Sequence, residues 1–307
     1  MQTSTQTNKE PRLFFSNKEG FASKVVLGDV VEVLENLERQ HKFDVIIADP
    51  PYNIGKNFGN NSDNMELKDY IDWSKKWTKL CFELLAENGL MYIYGYPEVL
   101  ARIACEFELE KQRILVWHYT NKTTPSSSFW QRSYESILCL WRGDRPQLEI
   151  DQIREPYTDA YIKFNGKTRT NTKGRFGSET TTYSVNEKGA LPRDVIKIPA
   201  LAGGAGNKER HFICKTCGNQ FFKAANIKKH DGHDIIQHPT QKPIELTQKL
   251  ILSRINGNKG RTLIPFAGSG SECVAAKRLG VDFLGIEINS DYIKLADEWL
   301  KSEEKYV

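Results

Sequence analysis

The sequence predicts an α/β fold, a mostly parallel sheet with helices on both faces, assembled from the two ends of the chain around an inserted region. Three observations carry this. Short β-rich runs alternate with amphipathic helical patterns from Lys24 to about residue 150. The alternation stops between 151 and 236, where the chain is polar and rich in Gly and Thr, and resumes after His238. Strands regularly separated by helices are the pattern of parallel strands joined by crossovers.

Lys24–Leu27 reads as a first strand, and Asp29 as the cap of a helix whose Val30, Val33, Leu34 and Leu37 share one face. Phe43–Ala48 is a buried-strand run ending at Asp49-Pro50-Pro51-Tyr52, and the Gly/Asn-rich stretch Gly55–Asp63 is a loop. Lys68–Glu87 reads as a helix with Ile71, Trp77, Leu80, Cys81, Leu84 and Leu85 inward and Gly89 past its end. Strands follow at Leu90–Tyr94, Ile114–Tyr119 and Glu135–Trp141. The insertion has no long amphipathic helix, and Asn165–Gly189 reads as its most mobile part. Pro243 starts a helix bearing Ile244, Leu250, Ile251 and Ile255. A strand (Arg261–Ile264), a helix (Ser271–Leu279), a strand (Phe283–Glu287) and a helix (Asp291–Leu300) complete the chain. The expected division is an N-terminal extension (1–23), two halves of one domain (24–150 and 237–307) and the insertion (151–236).

With 307 residues, 39% apolar and 27% charged, the chain has the composition of a globular protein, which excludes wholesale disorder. No stretch approaches the ~18–20 apolar residues of a membrane span. The N-terminus (MQTSTQTNKEPR) lacks a signal-peptide core, so cytoplasm is the expected location. Six cysteines in such a chain read as thiols or metal ligands rather than a disulfide framework. Residues 151–235 hold 15 Lys/Arg against 9 Asp/Glu, whereas the remainder holds 28 against 30. The basic excess is concentrated in one segment, as expected if one lobe faces a polyanion.

Two turns carry chemistry. Phe266-Ala267-Gly268-Ser269-Gly270 follows a strand and opens a helix, where glycines admit a ligand to the backbone and the helix start offers free N–H groups. Glu287 ends the next strand, placed to accept hydrogen bonds from ribose hydroxyls. The pair points to an adenosine-containing cofactor, and the incomplete G-x-G-x-x-G spacing argues against a dinucleotide. Asp49-Pro50-Pro51-Tyr52 also ends a strand. Its prolines remove two N–H groups, leaving acceptors only, the Asp49 carboxylate and the Pro50 carbonyl, beside the Tyr52 ring. That set suits the exocyclic amino group of a nucleobase.

Asp49-Pro50-Pro51-Tyr52, His238-Pro239-Thr240-Gln241-Lys242-Pro243 and Pro265-Phe266-Ala267-Gly268-Ser269-Gly270 resemble, in that order, the signature motifs of the β class of amino-group DNA methyltransferases. Trp130–Leu138 resembles a further family segment. The resemblance covers roughly residues 24–300. It implies a Rossmann-like fold in circularly permuted methyltransferase order, residues 151–236 as target-recognition region, S-adenosylmethionine as cofactor, and double-stranded DNA as partner. It further implies base flipping and transfer to the N6 amino group of adenine, since Asp at the first catalytic position is commoner in adenine enzymes than in cytosine-N4 enzymes.

By the same resemblance Asp49, Pro50, Pro51 and Tyr52 are the catalytic residues. Asp29, Thr240, Lys242, Phe266, Gly268, Ser269, Gly270 and Glu287 would bind the cofactor, with Thr240 and Lys242 near the methionine carboxylate and Asp29 at the adenine ring. Asp29 reads equally as a helix cap. Ile264 departs from the family, which usually has Asp there. A homodimer and a cognate restriction enzyme are expected partners. The loop Gly55–Asp63 would order over the base, and Lys163, Lys167, Arg169, Lys173 and Arg175 would meet phosphates. The alternatives are a cytosine-N4 enzyme, methylation of RNA or of a protein glutamine, and a silent DNA-binding protein on the same fold.

Cys214 and Cys217, two residues apart, followed by His230 and His233, have the spacing of a structural zinc site, with a metal-free loop as the alternative. The short gap between the histidines argues against a regular helical finger.

Overall fold

In the computed structural model, which describes residues 23–58, 63–121, 125–170, 180–202, 209–257 and 259–303, the two ends of the chain interleave in one eight-stranded sheet. The N-terminal half supplies β1 (Lys24–Leu27), α1 (Val30–Asn36), β2 (Phe43–Ala48), α2 (Leu67–Leu84), β3 (Leu85–Gly95), α3 (Pro97–Ala104), β4 (Gln112–His118) and β5 (Tyr134–Trp141). The insertion holds α4 (Asp159–Ile162), β6 (Thr168–Thr170), β7 (Thr180–Thr182), β8 (Val195–Lys197), β9 (Phe212–Cys214), β10 (Gln220–Phe221) and β11 (Ile235–Gln237). The C-terminal segment adds α5 (Ile244–Leu252), β12 (Arg261–Ile264), α6 (Ser271–Arg278), β13 (Asp282–Glu287) and α7 (Ser290–Glu303).

Strand order is β1-β13-β12-β2-β3-β5-β4-β8, with β5 antiparallel to both its neighbours and every other pair parallel. Side chains alternate along β2. Val45 and Ile47 pack with residues of α5, α6 and α7 on one face, and Ile46 and Ala48 with α1, α2 and α3 on the other. Each such buried branched side chain contributes roughly 1.5–3 kcal/mol, which holds the strand end, and with it Asp49, in register. Leu263 of β12 pairs with Ile46, so the strands preceding the two chemistry-bearing turns lie side by side.

The α/β alternation read from the sequence is present, with changes at the edges. The helix expected to run to Glu87 ends at Leu84, where Leu85 turns extended and joins β3 opposite Phe43. Leu85 and Leu90 both find buried places along β2, and this pairing overrides the helical propensity of the intervening residues. The sequence reading had no helix at Pro97–Ala104, although Pro97 sits at its first turn. α7 is longer at both ends than Asp291–Leu300.

The strands of the insertion (151–236) are shared among three sheets. Residues around β6 and β7 form an exposed two-stranded ribbon, β8 extends the main sheet beside β4, and β9–β11 form a separate three-stranded sheet. Trp117 Nε1 donates to the Ile198 carbonyl (2.9 Å), fixing the strand at the sheet edge. Residues 171–179 of the segment read as mobile, including Lys173 and Arg175, lie outside the described residues, as does 1–22 of the N-terminal extension. Among the described residues no helix is long and apolar enough to cross a membrane.

Candidate active site

Parallel neighbours end on the same side, so β1, β13, β12 and β2 deliver Asp29, Glu287, Pro265–Gly270 and Asp49–Tyr52 to one edge of the sheet. Ligands of open α/β sheets bind at this edge. Here the turns surround a cavity of about 490 Å³, also lined by Tyr96, Tyr119, Arg132, Glu135, His238, Thr240, Lys242, Phe266, Ser269 and Glu272. Its walls carry five carboxylates (Asp29, Asp49, Glu135, Glu272, Glu287) and three cationic side chains (Lys56, Arg132, Lys242).

The catalytic corner is a buried charge network. Lys242 Nζ donates to both oxygens of Asp49 (2.7 and 2.8 Å) and lies 3.3 Å from Glu135 Oε2. The rings of Tyr94 and Tyr52 stand 5.0 and 5.2 Å from the ammonium. The Tyr52 hydroxyl is within donating distance of Glu135 (2.8 Å) and Asp49 (3.1 Å), and Tyr119 donates to the other Glu135 oxygen (3.0 Å). Tyr70 of α2 donates to the Pro51 carbonyl (2.8 Å), pinning the turn from below.

Burial pushes the Asp49 carboxyl above its ordinary range, and the Lys242 charge opposes that push. Burial lowers the Lys242 pKa, but Asp49 and Glu135 outweigh it, so the lysine stays charged. Glu272, at the start of α6, is pushed up to about 7 by burial and then by Asp49. His238 is held down at about 3 by burial and by Lys242, and is neutral.

On the cofactor side, Gly268 (φ 50°) and Gly270 (φ 83°) are left-handed. A Cβ on Gly268 would stand 2.8 Å from His238, and one on Gly270 would stand 2.6 Å from Ala296. Both positions therefore demand glycine. The Ser269 hydroxyl faces this turn buried and without a hydrogen-bond partner among the described residues. One Glu287 oxygen accepts from Gly268 N–H (2.8 Å) and the other from Asn289 N–H (2.8 Å), so the residue shapes the turn while lining the cavity. Phe266 lies edge-on to Trp77 and Trp73 of α2, with centroids 5.0 and 5.7 Å away. Asp29 accepts from Val31 and Glu32 N–H as a helix cap and also lines the cavity.

The structure thus brings together Asp29, Asp49, Pro50, Pro51, Tyr52, Thr240, Lys242, Phe266, Gly268, Ser269 and Glu287 around one cavity, with Gly270 just behind the turn. Lys242 lines this cavity with its ammonium bonded to Asp49 and beside Glu135. Ile264 is buried in β12. Sequence reasoning assigned no role to Glu135, Tyr119 or Glu272. Tyr134-Glu135 opens a strand, and a carboxylate preceding an apolar run was the available signal.

The loop after the catalytic turn is tied at its base. The buried Asp63 carboxylate accepts from the N–H groups of Asn53 (2.6 Å), Ile54 (3.2 Å) and Lys56, and Phe58 packs on His238. Residues 59–62 lie outside the described residues. Away from the cavity, Cys214, Cys217, His230 and His233 converge, their ligand atoms all within 4.8 Å of one another.

A family model described as DNA methylase, covering N6 and N4 enzymes, matches residues 43–298. Type II methyltransferase M.HpaI of Haemophilus parainfluenzae is 26% identical over 288 residues, spanning 91% of this chain and 74% of its own length. DNA adenine methyltransferase YhdJ of Escherichia coli (strain K12) is 28% identical over 293 residues, spanning 94% and 85%. Among solved structures, PvuII DNA methyltransferase (cytosine-N4-specific) superposes with a TM-score of 0.59 at 15% identity, over 90% of this chain and 86% of that one. The M1.HpyAVI–SAM complex gives 0.51 at 22% identity, over 90% and 98%. At these identities the structures share the fold.

Proposed function

The chain belongs to the N6/N4 DNA methylase family, and from that premise we propose that it transfers a methyl group from S-adenosylmethionine to the N6 amino group of adenine in double-stranded DNA. The observation that carries this reading is the shared cavity: an acceptor-only turn for an amino group opens onto the same space as a glycine turn for an adenosine cofactor.

The residues present fit that cofactor. An excess of carboxylates over cations around the cavity favours a sulfonium and an ammonium over a pyrophosphate. The Ser269 hydroxyl, without a partner among the described residues, offers a hydrogen bond, and the Cβ-free turn at Gly268 leaves the backbone approachable. Asp29, Phe266, Ser269 and Glu287 would hold it, and bound there it supplies an electrophilic methyl group. Because Lys242 is engaged with Asp49, the methionine carboxylate is assigned to the other polar groups of this wall, Thr240 among them.

The target base is out of reach inside a duplex and is flipped into the cavity. Tyr52 stacks on it, replacing part of its lost stacking. The amino group donates to the Asp49 carboxylate and the Pro50 carbonyl, which draws its lone pair out of ring conjugation. The same two acceptors stabilise the positive charge that grows on nitrogen. Lys242 acts through Asp49: its charge opposes the protonation that burial favours. Glu135 fixes the Tyr52 and Tyr119 rings by their hydroxyls.

Aspartate at position 49 and the adenine-specific relative support adenine over cytosine. The Type II relatives support a companion restriction enzyme. Incubating the protein with unmethylated DNA and methyl-labelled cofactor, then separating the nucleosides, should yield N6-methyladenine. N4-methylcytosine alone would overturn the adenine assignment, and absence of both transfer and cofactor binding would favour a silent DNA-binding protein.

A further inference from the structure

We propose that Cys214, Cys217, His230 and His233 bind one structural zinc ion, and that this ion braces the segment that carries His238 and Lys242 into the active site. The four residues come from the two ends of the excursion between β9 and β11. Cys214 ends β9, Cys217 follows in a tight turn, His230 ends a 3-10 helix (Ala224–His230), and His233 lies in the turn before β11. Cys214 Sγ stands 3.2 Å from His233 Nδ1, and Cys217 Sγ stands 3.5 Å from His230 Nδ1. Around zinc, with bonds of about 2.3 Å to sulfur and 2.0–2.1 Å to nitrogen, tetrahedral neighbours lie roughly 3.3–3.8 Å apart. The set already approaches that spacing, and the exposed Cys217 and His233 can rotate to complete it.

The local backbone is that of a metal knuckle. The Cys217 N–H points at Cys214 Sγ (3.4 Å), Gly218 N–H donates to the Cys214 carbonyl (2.8 Å), and Gly218 is left-handed (φ 74°). Such an N–H···S contact supports a thiolate. Phe221 stacks on the His230 ring at 5.0 Å and 7°, fixing its plane. The small sheet has strands of only three, two and three residues, too little to hold itself by apolar burial. A metal adds a tie that so short a sheet lacks by itself.

This sheet is mounted on the catalytic domain. Ile213 and Ile236 pack with Tyr292 and Leu295 of α7, and Gln220 donates to Glu298 (2.7 Å). β11 then runs directly into His238, whose ring meets Tyr292 edge-on at 4.9 Å and stands against Gly268, and on to Lys242. An ion fixing both ends of the β9–β11 excursion therefore fixes the start of that segment. Neither half of the inference depends on the identity of the cofactor or the base.

Metal analysis of the full chain purified without chelator should find about one zinc per chain. Cys217→Ser and His233→Ala should each lose it, and hydrogen exchange should then quicken at least tenfold across 235–242 while Phe43–Ala48 stays protected. Zinc well below one per chain in the parent protein overturns the site. Zinc lost with exchange across 235–242 unchanged overturns the bracing. Should a variant unfold outright, the parent stripped by chelator and reloaded gives the same reading: protection across 235–242 returns with zinc, or the proposal fails.

Discussion

The catalytic corner and the β6–β7 ribbon are opposites. Asp49, Tyr52, Glu135 and Lys242 sit in the wall of the domain, each tied to at least two of the others. The ribbon strands are exposed along their whole length, and the aromatic residues beside them, Tyr157, Tyr161, Phe164 and Tyr183, pack on one another rather than on the main core. A buried charge must find fixed partners or lose its ionisation, so the fold dictates the corner. Exposed Thr, Lys and Arg carry no such demand, and on the proposed reading their partner is the phosphate backbone of DNA. Substitutions in the corner should change chemistry and stability, and substitutions in the ribbon should change DNA affinity.

The sharpest test of that division is Asp49→Ala. On the proposed role of Asp49 as acceptor for the amino group, its removal should cut transfer by about 10²–10³-fold or more, the scale for loss of a preorganised electrostatic group. DNA affinity should stay within a few-fold by gel shift. Activity within tenfold of the parent would remove Asp49 from the reaction.

Lys242→Met comes next. It leaves Asp49 and Glu135 buried without their cation, which costs about 3–5 kcal/mol for a broken buried pair and is read by denaturant unfolding. It also removes the charge that opposes protonation of Asp49, so the acid limb of the transfer profile should move to higher pH. A variant as stable as the parent, with the same profile, would mean that the network is open to water.

Glu272 tests burial together with the neighbouring charge of Asp49. Folding raises its pKa from 4.5 to about 7, so between those values the folded chain binds more protons than the unfolded one, and stability falls as pH rises. Glu272→Gln should flatten that fall, by at most about 1.4 kcal/mol for each pH unit. An unchanged slope in unfolding experiments across pH 5–7 would place the carboxyl in water.

Tyr52 separates ring from hydroxyl. Tyr52→Ala should weaken capture of the flipped base by about 1–3 kcal/mol, the scale of base–aromatic stacking. On sequence grounds Tyr52→Phe is mild, because the ring matters more than the hydroxyl. The hydroxyl bonds to Glu135 and Asp49 make it worth about 1 kcal/mol, or roughly fivefold in transfer. Equal activities of Phe and Tyr forms would show those bonds to be idle.

The same contrast explains what was legible in the sequence. Strand ends carrying Asp49 and Gly268 could be read because a buried run followed by a special turn is a local pattern. The cavity's participants from opposite ends of the chain were legible only through motif resemblance, since nothing local says that β12 lies beside β2. Glu135 and Glu272 were not assigned, because a carboxylate in a strand or first helical turn looks like any surface acid until its partners are placed. The helix expected to reach Glu87 failed for a related reason: the pairing of Leu85 with Phe43 is a tertiary event. The convergence of the Cys/His cluster was legible because its four residues recur at short intervals.

The smallest effect belongs to the ribbon, and it tests the comparison from its other side. Arg169 lies on β6, exposed, with one long contact to the Tyr183 hydroxyl (3.4 Å). Replacing it by Ala removes no core and no buried partner, so stability should change by less than about 0.5 kcal/mol. If it meets a phosphate, DNA affinity should drop modestly, and the slope of log affinity against log salt should become shallower by about 0.9, the share of one phosphate contact on a duplex. Transfer at saturating DNA should be unchanged, because the corner has not moved. A fall in saturated turnover with an unaltered salt slope would mean that the ribbon acts on the base rather than on the backbone, and the two regions would no longer be separable.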